Sequence, residues 1–136
     1  MPDLVLDAWA ITAWLKDERP AEKVEALLQA AERRERKLFM NIVNVGEVFY
    51  VSVKTRGRAY GERVLQNLLA RVATVSADDD LVMQAARLKA QHRISYADAF
   101  AAATAIAHVL PLVTGDPELR IMAGKEKALK LEWIGE

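Results

Sequence analysis

The chain contains no cysteine, which excludes disulfides, thiolate metal sites and a cysteine nucleophile together. Histidine is almost as scarce: His92 and His108 are the only two, and they lie too far apart in sequence to form a metal-ligand spacing. Charge of one sign is not in excess either. Lys and Arg total 19, as do Asp and Glu, so no whole-molecule positive field draws a polyanion, and any nucleic-acid contact must be local. No apolar run approaches the roughly 18–20 residues needed to span a bilayer, and the first residues lack the basic-then-apolar pattern of a signal peptide. A cytoplasmic protein is expected. The Gly-x-Ser-x-Gly, P-loop and Gly-x-Gly-x-x-Gly patterns are missing too, which argues against serine hydrolases and nucleotide-binding loops.

The residues present are enough for one globular domain over residues 1–136: 52% of residues are hydrophobic and 28% charged, and this length can bury a substantial core. The chain is organised around Leu4-Val5-Leu6-Asp7, a short apolar run that stops at a carboxylate. Such a run is how a strand buried on both faces reads, and strands of that kind sit in parallel sheets flanked by helices. Ligands of open parallel sheets bind beyond the carboxyl ends of the strands, which is where Asp7 stands.

The remaining pattern alternates. Helices are predicted over residues 8–16 and, with Pro20 at the first position, over 20–34. Residues 38–43 read as the second strand. Asn44 then reads as an N-cap, with Glu47 three residues later in capping-box position, opening a helix to Arg56 that Gly57 ends. A further amphipathic helix over 58–71 forms a hairpin-like pair with it. Residues 72–75 are the third strand, Asp78-Asp79-Asp80 caps a helix over 81–91, and Ser95 caps a long alanine-rich helix reaching His108. So many alanines permit close approach to the sheet, which makes this helix central. Residues 111–114 are the fourth strand, ending at Gly115-Asp116-Pro117, and 129–134 alternate polar with apolar as an edge strand does. Strands alternating with helices imply right-handed crossovers and an α/β fold with helices on both faces of a parallel sheet.

Four acids stand out. Each has an ordinary explanation: Asp7 as a helix cap, Glu47 as the acid of a capping box, Asp98 in the same relation to Ser95, and Asp116 in a turn. Capping gives no reason, however, to gather all four at the carboxyl edge of one sheet. Two unit charges about 4 Å apart repel by roughly 4 kcal/mol at an effective dielectric near 20, whereas a helix N-terminus returns only about 0.3–1 kcal/mol. A divalent cation relieves that repulsion, and oxygen-only ligands favour Mg²⁺ or Mn²⁺ over zinc. The chemistry such a site suits is hydrolysis of a phosphate ester.

In their order and spacing, Leu4-Val5-Leu6-Asp7, Asn44-Val45-Gly46-Glu47-Val48, Ser95-Tyr96-Ala97-Asp98-Ala99 and Leu112-Val113-Thr114-Gly115-Asp116 resemble a PIN domain, specifically the small VapC-like toxins of toxin–antitoxin pairs. The resemblance spans nearly the whole chain. It implies a three-layer α/β/α fold with strand order 3-2-1-4-5 and a metal-dependent endoribonuclease acting on RNA. It implies homodimerisation, and inhibition by a cognate antitoxin that occupies the groove over the acids. By position, Asp7, Glu47, Asp98 and Asp116 match the family's acidic set. Asp7, Asp98 and Asp116 match its direct metal ligands, Glu47 a residue acting through water or as proton acceptor, and Thr114 a polar position that orients the last acid or its water. One departure is Trp9, where relatives often carry serine or threonine; it reads as core or pocket wall and not as a base-stacking platform.

The hairpin-like pair is the expected clasp for the antitoxin, with Val51, Tyr60 and Leu65 either touching it or packing the two helices. Arg33, Arg34, Arg36, Lys125, Lys127 and Lys130 are candidate phosphate contacts, though a solvated surface explains them equally. Two other classes compete. A receiver-like phosphoacceptor also clusters acids around Mg²⁺, but needs a lysine at the end of a late strand, where this chain has Thr114-Gly115-Asp116. A PIN-type protein without catalysis, serving only as a binding partner, is the other.

Overall fold

The computed structural model describes residues 2–136 and explains why the first apolar run sits at the centre. Strand β1 (Leu4–Leu6) is buried throughout and pairs in parallel with two strands, β2 (Leu38–Asn41) and β4 (Leu112–Thr114). Its side chains divide. Leu4 and Leu6 enter one core with Ile11, Val24, Leu28 and Leu68. Val5 enters the other with Phe100, Leu112, Leu119 and Met122. A one-residue slip would exchange the two sets, and since burying a large apolar side chain is worth roughly 1.5–3 kcal/mol, register is firmly specified.

Two outer strands, β3 (Ala73–Val75) beside β2 and β5 (Leu131–Trp133) beside β4, complete a sheet of order β3-β2-β1-β4-β5 in which every pair is parallel. The expected strand order and the α/β architecture are therefore present, and the alternating C-terminal stretch is an edge strand.

On the first face lie α1 (Ala8–Leu15), α2 (Ala21–Glu32), α3 (Ile42–Arg56) and α4 (Arg58–Leu69). Gly57, at φ +91°, makes the turn between the last two. They approach closely at Gly61, where a Cβ would lie 2.3 Å from Val53 Cγ2. On the second face lie α5 (Asp79–Gln91), α6 (Tyr96–His108) and α7 (Pro117–Ala123). Helix α6 is buried at Ala99, Ala101, Ala102, Ala103 and Ala105, and it packs on β1, β2 and β4, as the run of small residues predicts. Asn41 Nδ2 donates to Thr104 Oγ1 at 3.1 Å, pinning its middle to the end of β2.

Two expectations are corrected. The second strand ends at Asn41, not at residue 43. Asn41 is the N-cap of α3, its side chain accepting the Val43 N–H at 2.9 Å, so Ile42 and Val43 are already helical and Asn44 caps nothing. Helix α7 was not expected. Asp116 caps it by accepting the Glu118 N–H at 2.9 Å, and Pro117 takes the first turn, where its missing donor costs nothing.

Candidate active site

Because all five strands run the same way, the residues just past their carboxyl ends share one edge. Asp7 ends β1 and is fully buried. Its Oδ1 accepts the Ala10 N–H at 2.9 Å as the cap of α1, while its Oδ2 accepts a short hydrogen bond from the Thr114 hydroxyl at the end of β4. The same hydroxyl oxygen receives the Asp116 N–H at 3.0 Å. Asp7, Thr114 and Asp116 thus form one hydrogen-bonded chain from the central strand to the loop after its neighbour.

Asp98 comes in from α6. Its N–H donates to Ser95 Oγ at 3.1 Å, the capping relation read from the sequence, and this fixes the first turn that carries the carboxylate. Glu47 comes from α3, in the second turn rather than in a capping box. Asn44 serves a different purpose. Its Nδ2 donates to the Ala97 carbonyl at 2.9 Å, tying α3 to the first turn of α6. The sequence pattern pointed to Asn44 for the wrong reason. Its true signal is burial of an amide one turn before an acid, which only tertiary structure reveals.

The four carboxylates feel one another. Burial pushes the Asp7 carboxyl up to about 7; the Thr114 and Ala10 hydrogen bonds oppose this, and the charges of Asp98 and Asp116 add to it. Asp98 is raised to about 6, first by burial and then by the charge of Asp116, with the Ser95 hydroxyl opposing and Glu47 adding. Glu47 is raised by burial and by Asp116. Its Oε1 is buried without a hydrogen-bond partner, as is Asn44 Oδ1. Among the described residues, no three His, Cys, Asp or Glu side chains are already drawn together as a closed ligand set. The acids share an edge and a field, and a side-chain hydrogen bond between Asp98 and Asp116 also raises Asp98.

The basic candidates are not brought to this edge. Arg33, Arg34 and Arg36 precede β2 and Lys130 precedes β5, at the opposite ends of those strands. Arg33 pairs with Glu35 at 2.7 Å, and Arg36 donates twice to the Pro2 carbonyl, at 2.9 and 2.6 Å. Tyr60 and Leu65 pack against the core. Val51 and Tyr60 also line a small cleft with Thr12, Leu15 and Val48 between α1 and the α3–α4 pair.

A family model of the PIN domain matches residues 4–125. The chain belongs to the PIN domain family. Solved structures of the PIN fold superpose on most of it. DNA-bound VapBC from Salmonella typhimurium matches with a TM-score of 0.73 at 15% identity, covering 97% of this chain and 98% of that one. VapBC-5 from Mycobacterium tuberculosis, a member of the VapBC family of toxin–antitoxin systems, matches at 0.63 and 24% identity, with 98% of each chain covered. VapC20 from Mycobacterium tuberculosis, a sarcin–ricin loop cleaving toxin, matches at 0.69 and 14% identity over 87% of this chain and 93% of that one. At these identities the likeness is one of fold. No curated protein matches by sequence. Among the described residues of this PIN protein, no helix is long and apolar enough to cross a membrane.

Proposed function

We propose that this PIN protein is a metal-dependent endoribonuclease of the VapC kind, a single-domain cytoplasmic toxin that hydrolyses RNA phosphodiester bonds and is neutralised by a cognate antitoxin. The observation that carries this reading is the gathering of four carboxylates, distant in sequence, at one sheet edge where burial and mutual repulsion raise Asp7, Glu47 and Asp98. An all-oxygen donor set with one buried, unpartnered Glu47 oxygen fits Mg²⁺ or Mn²⁺, and we assign Asp7, Asp98 and Asp116 to hold it. Such an ion supplies Lewis-acid stabilisation of charge on a phosphoryl group.

The chain's own residues supply the rest. Thr114 orients Asp7 through its hydroxyl and Asp116 through its oxygen, so the two ligands move together. Glu47, whose raised pKa makes it a better base than an ordinary glutamate, accepts the proton of the attacking water. Solved structures named as DNA-bound VapBC, as a member of the VapBC family of toxin–antitoxin systems and as a sarcin–ricin loop cleaving toxin support the toxin reading. The antitoxin occupies the groove over the acids with the α3–α4 pair as its clasp, and the working unit is a homodimer. Total RNA incubated with the protein and Mg²⁺ or Mn²⁺ should acquire defined new ends that disappear with Asp98→Asn. A wild type that cuts nothing, or a variant that cuts as fast, overturns the proposal.

A further inference from the structure

Beside the acid cluster lies a second feature. A cavity of about 420 Å³ is walled by Trp9 and Trp133 and floored by Gly115 and Gly135. Gly115 separates Thr114 from Asp116, and in the β4–β5 register Trp133 is the partner of Thr114, so the cavity shares a wall with the loop that carries Asp116. Both glycines are needed for its shape. A Cβ on Gly115 would lie 2.2 Å from Trp9 Cη2, and one on Gly135 2.6 Å from Trp133 Cζ2. The backbone passes close to the edge of each ring because no side chain intervenes.

Trp9 packs in part against the first core, yet neither ring is fully enclosed. Both are half-buried, and Trp133 Nε1 is buried with no hydrogen-bond partner. Cations stand close by. The Arg120 guanidinium lies 4.8 Å from the Trp133 ring centre, and Arg19 lines the rim. Two rim carboxylates, Glu18 and Glu136, oppose them. Glu136 pairs with Arg19 at 3.0 Å, but both side chains are more than three-quarters exposed, so that ion pair yields to a phosphate at little cost.

We propose that this cavity receives an unpaired nucleobase of the RNA strand whose phosphodiester lies at the acid cluster, with the two tryptophans as stacking walls and Arg19 meeting the adjoining phosphate. This rests on the nuclease reading and adds the position that sets sequence preference. The chemistry is that of single-strand recognition: aromatic faces accept any base by stacking, and polar groups at the rim then discriminate among bases. The volume lies within the roughly 300–1,000 Å³ of small-ligand sites.

The test separates base stacking from structural packing and from the nuclease reading. Binding of a single-stranded hexaribonucleotide of mixed sequence is followed by tryptophan fluorescence of the full chain in EDTA, where no cleavage occurs. Trp14, whose Nε1 donates to Glu25 Oε2 at 2.6 Å, is away from the cavity and serves as the unquenched reference. Wild type should be quenched on binding. Trp9→Leu should raise Kd about 10-fold and Trp9→Phe, which keeps an aromatic face, less than about 3-fold. An abasic nucleotide at one position should cost wild type about 10-fold and cost Trp9→Leu little.

In cleavage assays Trp9→Leu should raise KM with kcat within about 3-fold of wild type. Equal Kd for Trp9→Leu, Trp9→Phe and wild type, or insensitivity to every abasic position, overturns the pocket whether or not RNA is cut. Binding that shows this pattern with no cleavage under Mg²⁺ or Mn²⁺ overturns the nuclease reading and leaves the base pocket standing.

Discussion

The Thr114 hydroxyl donates to Asp7 Oδ2 while accepting the Asp116 N–H at 3.0 Å, so one side chain holds two carboxylate-bearing residues in a fixed relation. Thr114 is fully buried and so is Asp7. Thr114→Val keeps the shape and removes the donor, which leaves a buried carboxylate oxygen and the Asp116 N–H unpartnered. The loss should be about 1–3 kcal/mol of stability, measured by urea denaturation. The Asp7 carboxyl should rise further, because the bond removed is the leading influence that lowers it. The pH profile of any RNA cleavage should therefore move to higher pH. Thr114→Ser, which retains the hydroxyl, should restore both.

Stability without metal should fall as pH rises. Asp7 and Asp98 are raised to about 7 and about 6 from an ordinary 3.8, so between roughly pH 4 and 7 the folded state binds protons that the unfolded state has released. Their contribution is favourable below the ordinary carboxylate range and is lost as pH climbs through the folded values, on the order of several kcal/mol. Mn²⁺ at about 100 times its Kd should return about 2.7 kcal/mol at pH 7.5. Asp7→Asn keeps an oxygen that can cap α1 and removes the buried charge. It should be at least as stable as wild type above pH 7, flatten the pH dependence and abolish cleavage. Thermal denaturation across pH 4–8, with and without Mn²⁺, reads the stability effects, and the RNA cleavage assay reads the last.

Most of the fold was legible because strands and helices here announce themselves through burial period and breakers. Leu4-Val5-Leu6 is apolar throughout since both faces are covered, and the alanines of α6 are small since the sheet lies against them. The edge shared by the acids was legible for the same reason: parallel strands bring the residues after their carboxyl ends together. Asn41 and Asn44 were not separable in sequence. Both are amides at a strand-to-helix junction, and only the buried bond of Asn44 to Ala97 shows which one caps and which one ties α3 to α6. Helix α7 was hidden by its length of 7 residues, too short for an apolar period, although Asp116-Pro117 carries the start signal. The Trp9–Trp133 cavity was invisible because its walls are 124 positions apart in the chain.

Val109 offers a test of the backbone alone. It comes after α6 with φ +54°, and the Leu110 N–H reaching the Ala105 carbonyl at 3.0 Å marks a Schellman turn, whose left-handed position favours glycine. A β-branched residue there costs roughly 1–2 kcal/mol. The side chain is 87% exposed and buries little in return. Val109→Gly should stabilise the protein by about 1 kcal/mol, less the entropy that glycine adds to the unfolded chain, without altering RNA cleavage. A lowered melting temperature would mean that the entropy glycine adds to the unfolded chain exceeds the backbone strain relieved.

Gly115→Ala probes the contact between Trp9 and the loop that carries Asp116. The added Cβ meets the outer edge of the indole, at 2.2 Å from Cη2 and 2.3 Å from Cζ3, and not backbone. The contact is with the far end of a side chain that lines the cavity, so the cost should be modest, about 1–2 kcal/mol. The displaced ring fills the space that the two tryptophans enclose. Near-ultraviolet circular dichroism should change while the far-ultraviolet spectrum does not, and affinity for single-stranded RNA should fall. Removing the obstacle decides the cause: if Trp9→Ala and Gly115→Ala clash only through this contact, the double variant should be more stable than the sum of the single losses predicts, by about 0.5 kcal/mol or more in a double-mutant cycle. Strict additivity would place the effect of the added methyl in the Thr114–Asp116 backbone instead.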